Sequence, residues 1–242
     1  METKQAQRIQ TSVLNAAERK LLVWLAERQP RWMTSDALTF IGTFGAAVTG
    51  LGFMLSDLDI RWLWLSSLGL LINWYGDSLD GTLARVRKTQ RPLYGYYLDH
   101  TVDCINESLM FIGAGLSQLV RLDFTLFAYI IYLFLTINVS INAHLKGEFK
   151  LTYAKMGPTE FRLIMVIVNT LMIFVRPLQT FAFEACIIGR PVVLRTFDLL
   201  ALAIILILSA MYICTIISDA RNYAKVDPPR KAERKGTKKG KA

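Results

Sequence analysis

Four aspartates stand in two pairs within 27 residues of a chain that is otherwise 53% hydrophobic. Asp77 and Asp80 are three apart, and Asp99 and Asp103 are four apart. If each pair is helical, both carboxylates of a pair lie on one face and can chelate together. An unpaired acid inside a membrane span costs about 2.5 to 3.5 kcal/mol on insertion scales, and clustered carboxylates also repel one another. Four such groups therefore call for cations or a wet cavity. Hard divalent ions suit them, because Mg2+ and Mn2+ prefer oxygen ligands and are usually bound by carboxylates together with substrate phosphates.

The residues between the pairs point toward phosphate. Gly81 follows Asp80 directly, and Ala84 and Gly95 are also small, so a ligand or a neighbouring helix could approach the backbone there. Arg85 offers a planar fork of donors that matches a phosphate. Lys88, Arg91 and Pro92 read as a basic turn joining two helices whose ends carry the acids. The predicted geometry is a helical hairpin.

The elements that must hold this hairpin are apolar helices. Mean hydropathy is +0.35, and Ala37–Ser56, Phe124–Ala143 and Leu199–Ser218 contain no charged side chain. Each run is about the 20 residues that cross ~30 Å of hydrocarbon. Three shorter apolar runs, Trp62–Gly76, Ser108–Val120 and Leu163–Val175, can be completed by adjacent polar turns shielded inside a bundle. The expected class is an all-α integral membrane protein, a six-transmembrane-helix bundle spanning residues 34–220. Residues 1–33 mix Lys, Arg and Glu with apolar side chains at helical spacing and are expected to form an amphipathic juxtamembrane helix rather than a signal peptide.

Net charge is +9, and residues 221–242 hold nine Lys or Arg against two acids, which reads as a basic cytoplasmic tail attracted to anionic headgroups rather than to nucleic acid. Arg85, Arg87, Lys88, Arg91, Lys146, Lys150, Lys155 and Arg162 fall on the same side of a six-span chain. Arg176, Arg190 and Arg195 dissent from the positive-inside pattern. Cys104, Cys186 and Cys214 lack the clustering of a zinc site or a disulfide framework.

Taken together, Asp77-x2-Asp80-Gly81-x2-Ala84-Arg85-x9-Gly95-x3-Asp99-x3-Asp103 resembles the signature of the CDP-alcohol phosphotransferase family, membrane enzymes of phospholipid synthesis. Chain length, six spans and the N-terminal helix are also similar to a minimal member. "TSDALTFIG" (Thr34–Gly42) resembles the start of the family's first span, with Asp36 where a Pro-Asn pair often ends.

The resemblance implies transfer of a phosphatidyl or substituted phosphoryl group from a CDP-linked donor to an alcohol, with release of CMP. It implies Asp77, Asp80, Asp99 and Asp103 as ligands of Mg2+ or Mn2+, two ions in all, with Asp103 also the catalytic base. Gly81, Ala84, Arg85 and Gly95 would face the cytidine diphosphate. CDP-diacylglycerol is the favoured donor, and CDP-choline or CDP-ethanolamine with a lipid alcohol is the alternative. His100, in "DHTVD", resembles members that use the aminoalcohol donors, although one step along a helix from Asp99 also suits a bystander. Glu160 and Arg162 would contact acceptor or phosphate at the cytoplasmic entrance of the fifth span, or form a surface pair beside a helix cap by Thr159. A homodimer and a bacterial cytoplasmic membrane, with both termini and the active site inside, complete the expectation. An ion-coupled transporter is the alternative of another class, disfavoured because all four acids fall in one hairpin.

Overall fold

The computed structural model describes residues 7–9, 15–146, 148–150, 157–187 and 189–229. Lys155 and the tail beyond residue 229 lie outside them. Eight helices carry most of the described chain: α1 (Asn15–Glu27), α2 (Ser35–Leu55), α3 (Leu63–Val86), α4 (Pro92–Gly115), α5 (Leu122–Lys146), α6 (Pro158–Phe174), α7 (Arg176–Thr180) and α8 (Thr196–Val226). Three segments are long and apolar enough to cross a membrane, Ser35–Leu55, Leu122–Leu145 and Thr196–Val226. They coincide with the three uncharged runs of the sequence. On α8, Leu206, Ile207 and Ile213 are more than half exposed, a surface that suits hydrocarbon better than water. At 24 residues each, α3 and α4 are also about 36 Å long, but they carry the polar residues of the site.

Two parts of the expected class are corrected. The chain is not purely helical: β1 (Gln7–Ile9) pairs in parallel with β2 (Glu148–Lys150), and β3 (Ala182–Ile187) pairs antiparallel with β4 (Arg190–Arg195). Phe181 to Arg195 is rich in aromatic and β-branched residues, and Gly189, at φ 74°, supplies the turn that joins β3 and β4. This hairpin accounts for Arg190 and Arg195, two of the three arginines that broke the charge pattern. The third apolar run, Ser108–Val120, also outlasts its helix, because α4 stops at Gly115 and Leu116–Val120 form a connection.

The core begins where α2 meets α3. Thr34 caps α2 by accepting the Ala37 N–H at 3.1 Å. A Cβ on Gly45 would collide with the backbone of Asn73 and Gly69 on α3, and one on Gly50 would meet the Leu109 carbonyl of α4. The glycines of the first span therefore serve contact between backbones within one protomer. Asn73 donates its amide to the Gly42 carbonyl at 3.0 Å, and Asn169 donates to Ser67 Oγ at 3.1 Å, tying α6 to α3.

Leu22 and Ala26 of α1 pack with Leu38, Leu79 and Leu83, whereas Leu21 and Trp24 face outward. Glu18 anchors that helix. It accepts the Trp74 indole N–H at 2.8 Å and the Thr159 hydroxyl at 2.7 Å, which brings α1, α3 and α6 to one point. At the other end of the bundle, buried Asp198 accepts the backbone N–H groups of Arg121 and Arg195 at 2.7 and 2.8 Å, fixing the start of α8.

Candidate active site

The sequence places Asp77 and Asp80 on the last turns of α3 and Asp99 and Asp103 on the first half of α4, with Arg87–Arg91 as the connection. Pro92 starts α4 where its missing N–H costs nothing. The fold then brings the two helices together. One carboxylate oxygen from each of Asp77, Asp99 and Asp103 lies within 4.8 Å of the others. Three clustered carboxylates of this kind fit a hard divalent cation.

Part of their charge is offset from a distant part of the chain. Arg162, on the first turns of α6, donates to Asp77 Oδ2 at 2.6 Å, and the two side chains are only 17% and 22% exposed. The guanidinium charge is also felt at Asp103. Arg162 thus joins the cluster of carboxylates and is not a surface pair.

Asp80 stands apart from the trio. Its Oδ2 accepts the Thr39 hydroxyl of α2 at 2.7 Å, its other oxygen accepts the Gly81 N–H, and its backbone carbonyl accepts the Ser35 hydroxyl at 2.6 Å. Asp80 remains within electrostatic range of Asp77 and Asp99. The first span therefore orients the second acid of the motif, a role that spacing along one helix does not reveal.

Around the acids, the two glycines of the motif have no packing reason to be glycine. A Cβ on Gly95 would meet nothing within 4 Å, and one on Gly81 would meet only the Arg85 guanidinium at 3.6 Å. No described neighbouring helix approaches Gly95, which leaves open space beside its backbone. Arg85 is exposed and donates to Thr82 Oγ1 at 2.9 Å, one turn from Gly81 and beside Ala84. Arg91 grips Asp36 through both carboxylate oxygens at 2.6 Å and lies 3.9 Å over the Tyr94 ring. Asp36 accordingly ties the α3–α4 connection to the start of α2.

His100 turns back on its own helix. Its ring stacks on Tyr96 with centroids 4.1 Å apart, Nδ1 lies 3.0 Å from the Tyr96 carbonyl, and it approaches Asp99 at 3.7 Å. Glu160 caps α6 by accepting the Gly157 N–H at 2.9 Å, while Thr159, the expected cap, is bonded to Glu18. Sequence reasoning missed Thr39, Glu107 and Tyr132. Glu107 follows Asp103 by four residues, so the face that carries Asp99 and Asp103 continues to it, and that spacing was a usable signal.

A family model described as CDP-alcohol phosphatidyltransferase matches residues 32–217 of this chain. The chain belongs to the CDP-alcohol phosphatidyltransferase family. The match runs from just before α2 into the last third of α8 and includes every acid of the hairpin.

Among curated proteins of this family, cholinephosphotransferase 1 of Bos taurus is 29% identical over 161 residues, which cover 62% of this chain and 38% of that protein. The Homo sapiens cholinephosphotransferase 1 is 28% identical over 159 residues, with the same two shares. A phosphatidylinositol phosphate synthase of Cutibacterium acnes is 32% identical over 84 residues, 35% of this chain and 38% of that protein. The chain thus spans less than half the length of the curated relatives it matches. The transporter alternative has no support beside this family match.

Proposed function

We propose that this family member is a phospholipid-synthesising transferase that moves a phosphatidyl or substituted phosphoryl group from a CDP-linked donor to an alcohol and releases CMP. The observation that carries the reading is the three-carboxylate cluster of Asp77, Asp99 and Asp103 at the helical hairpin matched by the family. These carboxylates would hold Mg2+ or Mn2+, two ions with Asp80 included, and bound metal would neutralise charge on the diphosphate.

Every other task falls to the chain's own residues. Asp103 takes the proton of the acceptor hydroxyl as its oxygen bonds to the phosphorus farther from cytidine; the bond from that phosphorus to the bridging oxygen breaks, and CMP leaves with the oxygen. Gly81 and Gly95 leave open backbone against which the diphosphate can lie, Ala84 keeps the same face low, and Arg85 pairs with a phosphate. Arg162 keeps Asp77 in place and presents positive charge beside the reacting groups. His100 and Glu160, already engaged by their own helices, line the rim.

The proposed setting is a bilayer crossed by six helices, α2, α3, α4, α5, α6 and α8, with α1 at the interface and the site open to the cytoplasm. Residues 1–33, 34–220 and 221–242 are the interfacial segment, the catalytic domain and the basic tail, the last beginning as the final turns of α8. A bacterial cytoplasmic membrane and a homodimer complete the proposal. CDP-diacylglycerol remains the favoured donor, and the extent of the cholinephosphotransferase match keeps CDP-choline or CDP-ethanolamine as the second reading. The test is metal-dependent CMP release from purified protein, with each donor set against small polar alcohols and diacylglycerol. Release by the wild type and its loss in Asp103→Asn support the proposal; no release from any pair by folded protein refutes it.

A further inference from the structure

The acid-bearing face of α4 does not end at the catalytic base. Asp99, Asp103, Glu107 and Phe111 follow one another at intervals of four, each about 6 Å farther along the helix axis and away from the α3–α4 connection. Glu107 Oε2 is buried and has no hydrogen-bond partner among the described residues. A buried carboxylate oxygen left in this state is costly and calls for a donor. Three described groups act on Glu107 from other helices: the Tyr132 hydroxyl of α5, within hydrogen-bonding reach, the positive charge of Arg162 on α6, and the negative charge of Asp77 on α3. Below the base, the chain therefore offers one buried acceptor oxygen, Glu107 Oε2, that no described residue satisfies.

One turn farther, the same face is closed. The Phe111 ring stacks on Tyr129 with centroids 5.5 Å apart and lies 6.4 Å from Tyr132. Tyr129 is locked in that position, because its hydroxyl donates to the Cys104 carbonyl at 3.0 Å and shares a hydrogen bond with Ser108 at 2.7 Å. One turn beyond Glu107, the rings of Phe111, Tyr129 and Tyr132 thus form an aromatic floor.

We infer that Glu107, with Tyr132 beside it, determines acceptor specificity by taking a hydrogen bond from a second hydroxyl or an ammonium group of a small polar alcohol whose reacting hydroxyl sits at Asp103. This rests on the transferase reading and deepens it. A diacylglycerol presents one hydroxyl flanked by esters, which only accept hydrogen bonds, so it would set oxygen against the Glu107 carboxylate and leave it unsatisfied. A polyol, a polyol phosphate or a hydroxy amino acid brings the missing donor and is short enough for the aromatic floor. If the acceptor is small and polar and the product is a phospholipid, the acyl chains must arrive with the donor, which selects CDP-diacylglycerol over the CDP-aminoalcohols.

The test uses full-length protein in lipid nanodiscs. CMP release is measured with CDP-diacylglycerol against a polyol, a polyol phosphate and serine, and with CDP-choline against diacylglycerol, for wild type, Glu107→Gln and Tyr132→Phe. A hydrogen bond to a charged group corresponds to an acceptor KM raised about 10- to 100-fold in Glu107→Gln, with donor KM and Mn2+ affinity within about threefold of wild type. Tyr132→Phe keeps the ring and gives a smaller rise in the same constant, so a misfolded Glu107→Gln does not end the test. The inference is overturned if diacylglycerol is the preferred acceptor, or if the variants leave acceptor KM unchanged or shift donor KM equally. Thermal shifts with the same acceptors separate this from failure of the transferase reading. Stabilisation by a small alcohol that Glu107→Gln abolishes supports the inference even without turnover, and no stabilisation by any of them, without turnover, overturns it.

Discussion

Replacing Arg162 by Met should destabilise the metal-free protein and tighten its hold on a divalent cation. The guanidinium and the Asp77 carboxylate meet at 2.6 Å with exposures of 17% and 22%, so the pair is largely shielded from solvent. Removing one partner of such a pair leaves the other charge uncompensated, at about 3–5 kcal/mol for full burial. Residual solvent contact argues for the lower end, about 3 kcal/mol, and the loss should be felt more because Asp99 and Asp103 repel the same carboxylate. At this chain length, with roughly 2–4 °C per kcal/mol, the metal-free variant should melt about 6–12 °C lower than wild type.

A cation changes the sign of the comparison. In wild type it must take Asp77 from Arg162, and removing that competition should tighten Mn2+ binding about 10- to 100-fold. Excess ion at 100 times its Kd returns about 2.7 kcal/mol, most of what the variant lost. The assays are thermal unfolding in detergent with chelator or with Mn2+, and Mn2+ binding followed by electron paramagnetic resonance. Equal or weaker Mn2+ affinity in Arg162→Met, or a melting deficit that excess Mn2+ leaves untouched, would refute the idea that the guanidinium and a divalent ion compete for one carboxylate.

Three further outcomes are expected. Asp103→Asn should keep its melting temperature within a few degrees and lower CMP release about 10²- to 10⁴-fold, the range for loss of a general base. Thr39→Val preserves shape but removes the 2.7 Å donor to Asp80, so turnover should fall about tenfold while circular dichroism is unchanged; unaltered kinetics would show that Asp80 needs no orientation from α2. Gly45→Ala should cost about 1–3 kcal/mol, because its Cβ meets the Asn73 and Gly69 backbones, whereas Gly95→Ala should leave melting unchanged and raise donor KM.

The uncharged runs were legible as α2, α5 and α8 because a bilayer-length apolar helix is written in consecutive residues. The acid hairpin was legible for the same reason, since the periodicity of two adjacent helices specifies which side chains share a face. What contacts that face from elsewhere was not. Thr39 reaches Asp80 and Tyr132 faces Glu107 only because α2 and α5 pack where they do. Arg162 reads from the sequence as a contact for acceptor or phosphate, and its pairing with Asp77, 85 residues away, exists only because α6 packs on α3. The β3–β4 hairpin was hidden by residues that suit a strand and an apolar loop equally, with Gly189 and Pro191 as local signs of a turn.

The long separation between the acids and their counter-charge has a consequence for the order in which the protein is made. Asp103 leaves the ribosome 59 residues before Arg162. At about 5–20 residues per second, the hairpin exists for several seconds with its carboxylates assembled and α6 not yet synthesised. During that interval Arg162 cannot neutralise the cluster, so a divalent ion held by the same carboxylates would also act as an assembly factor for the unfinished chain. A chain ending after α5 should therefore insert into membranes more completely when divalent ions are supplied than when they are chelated.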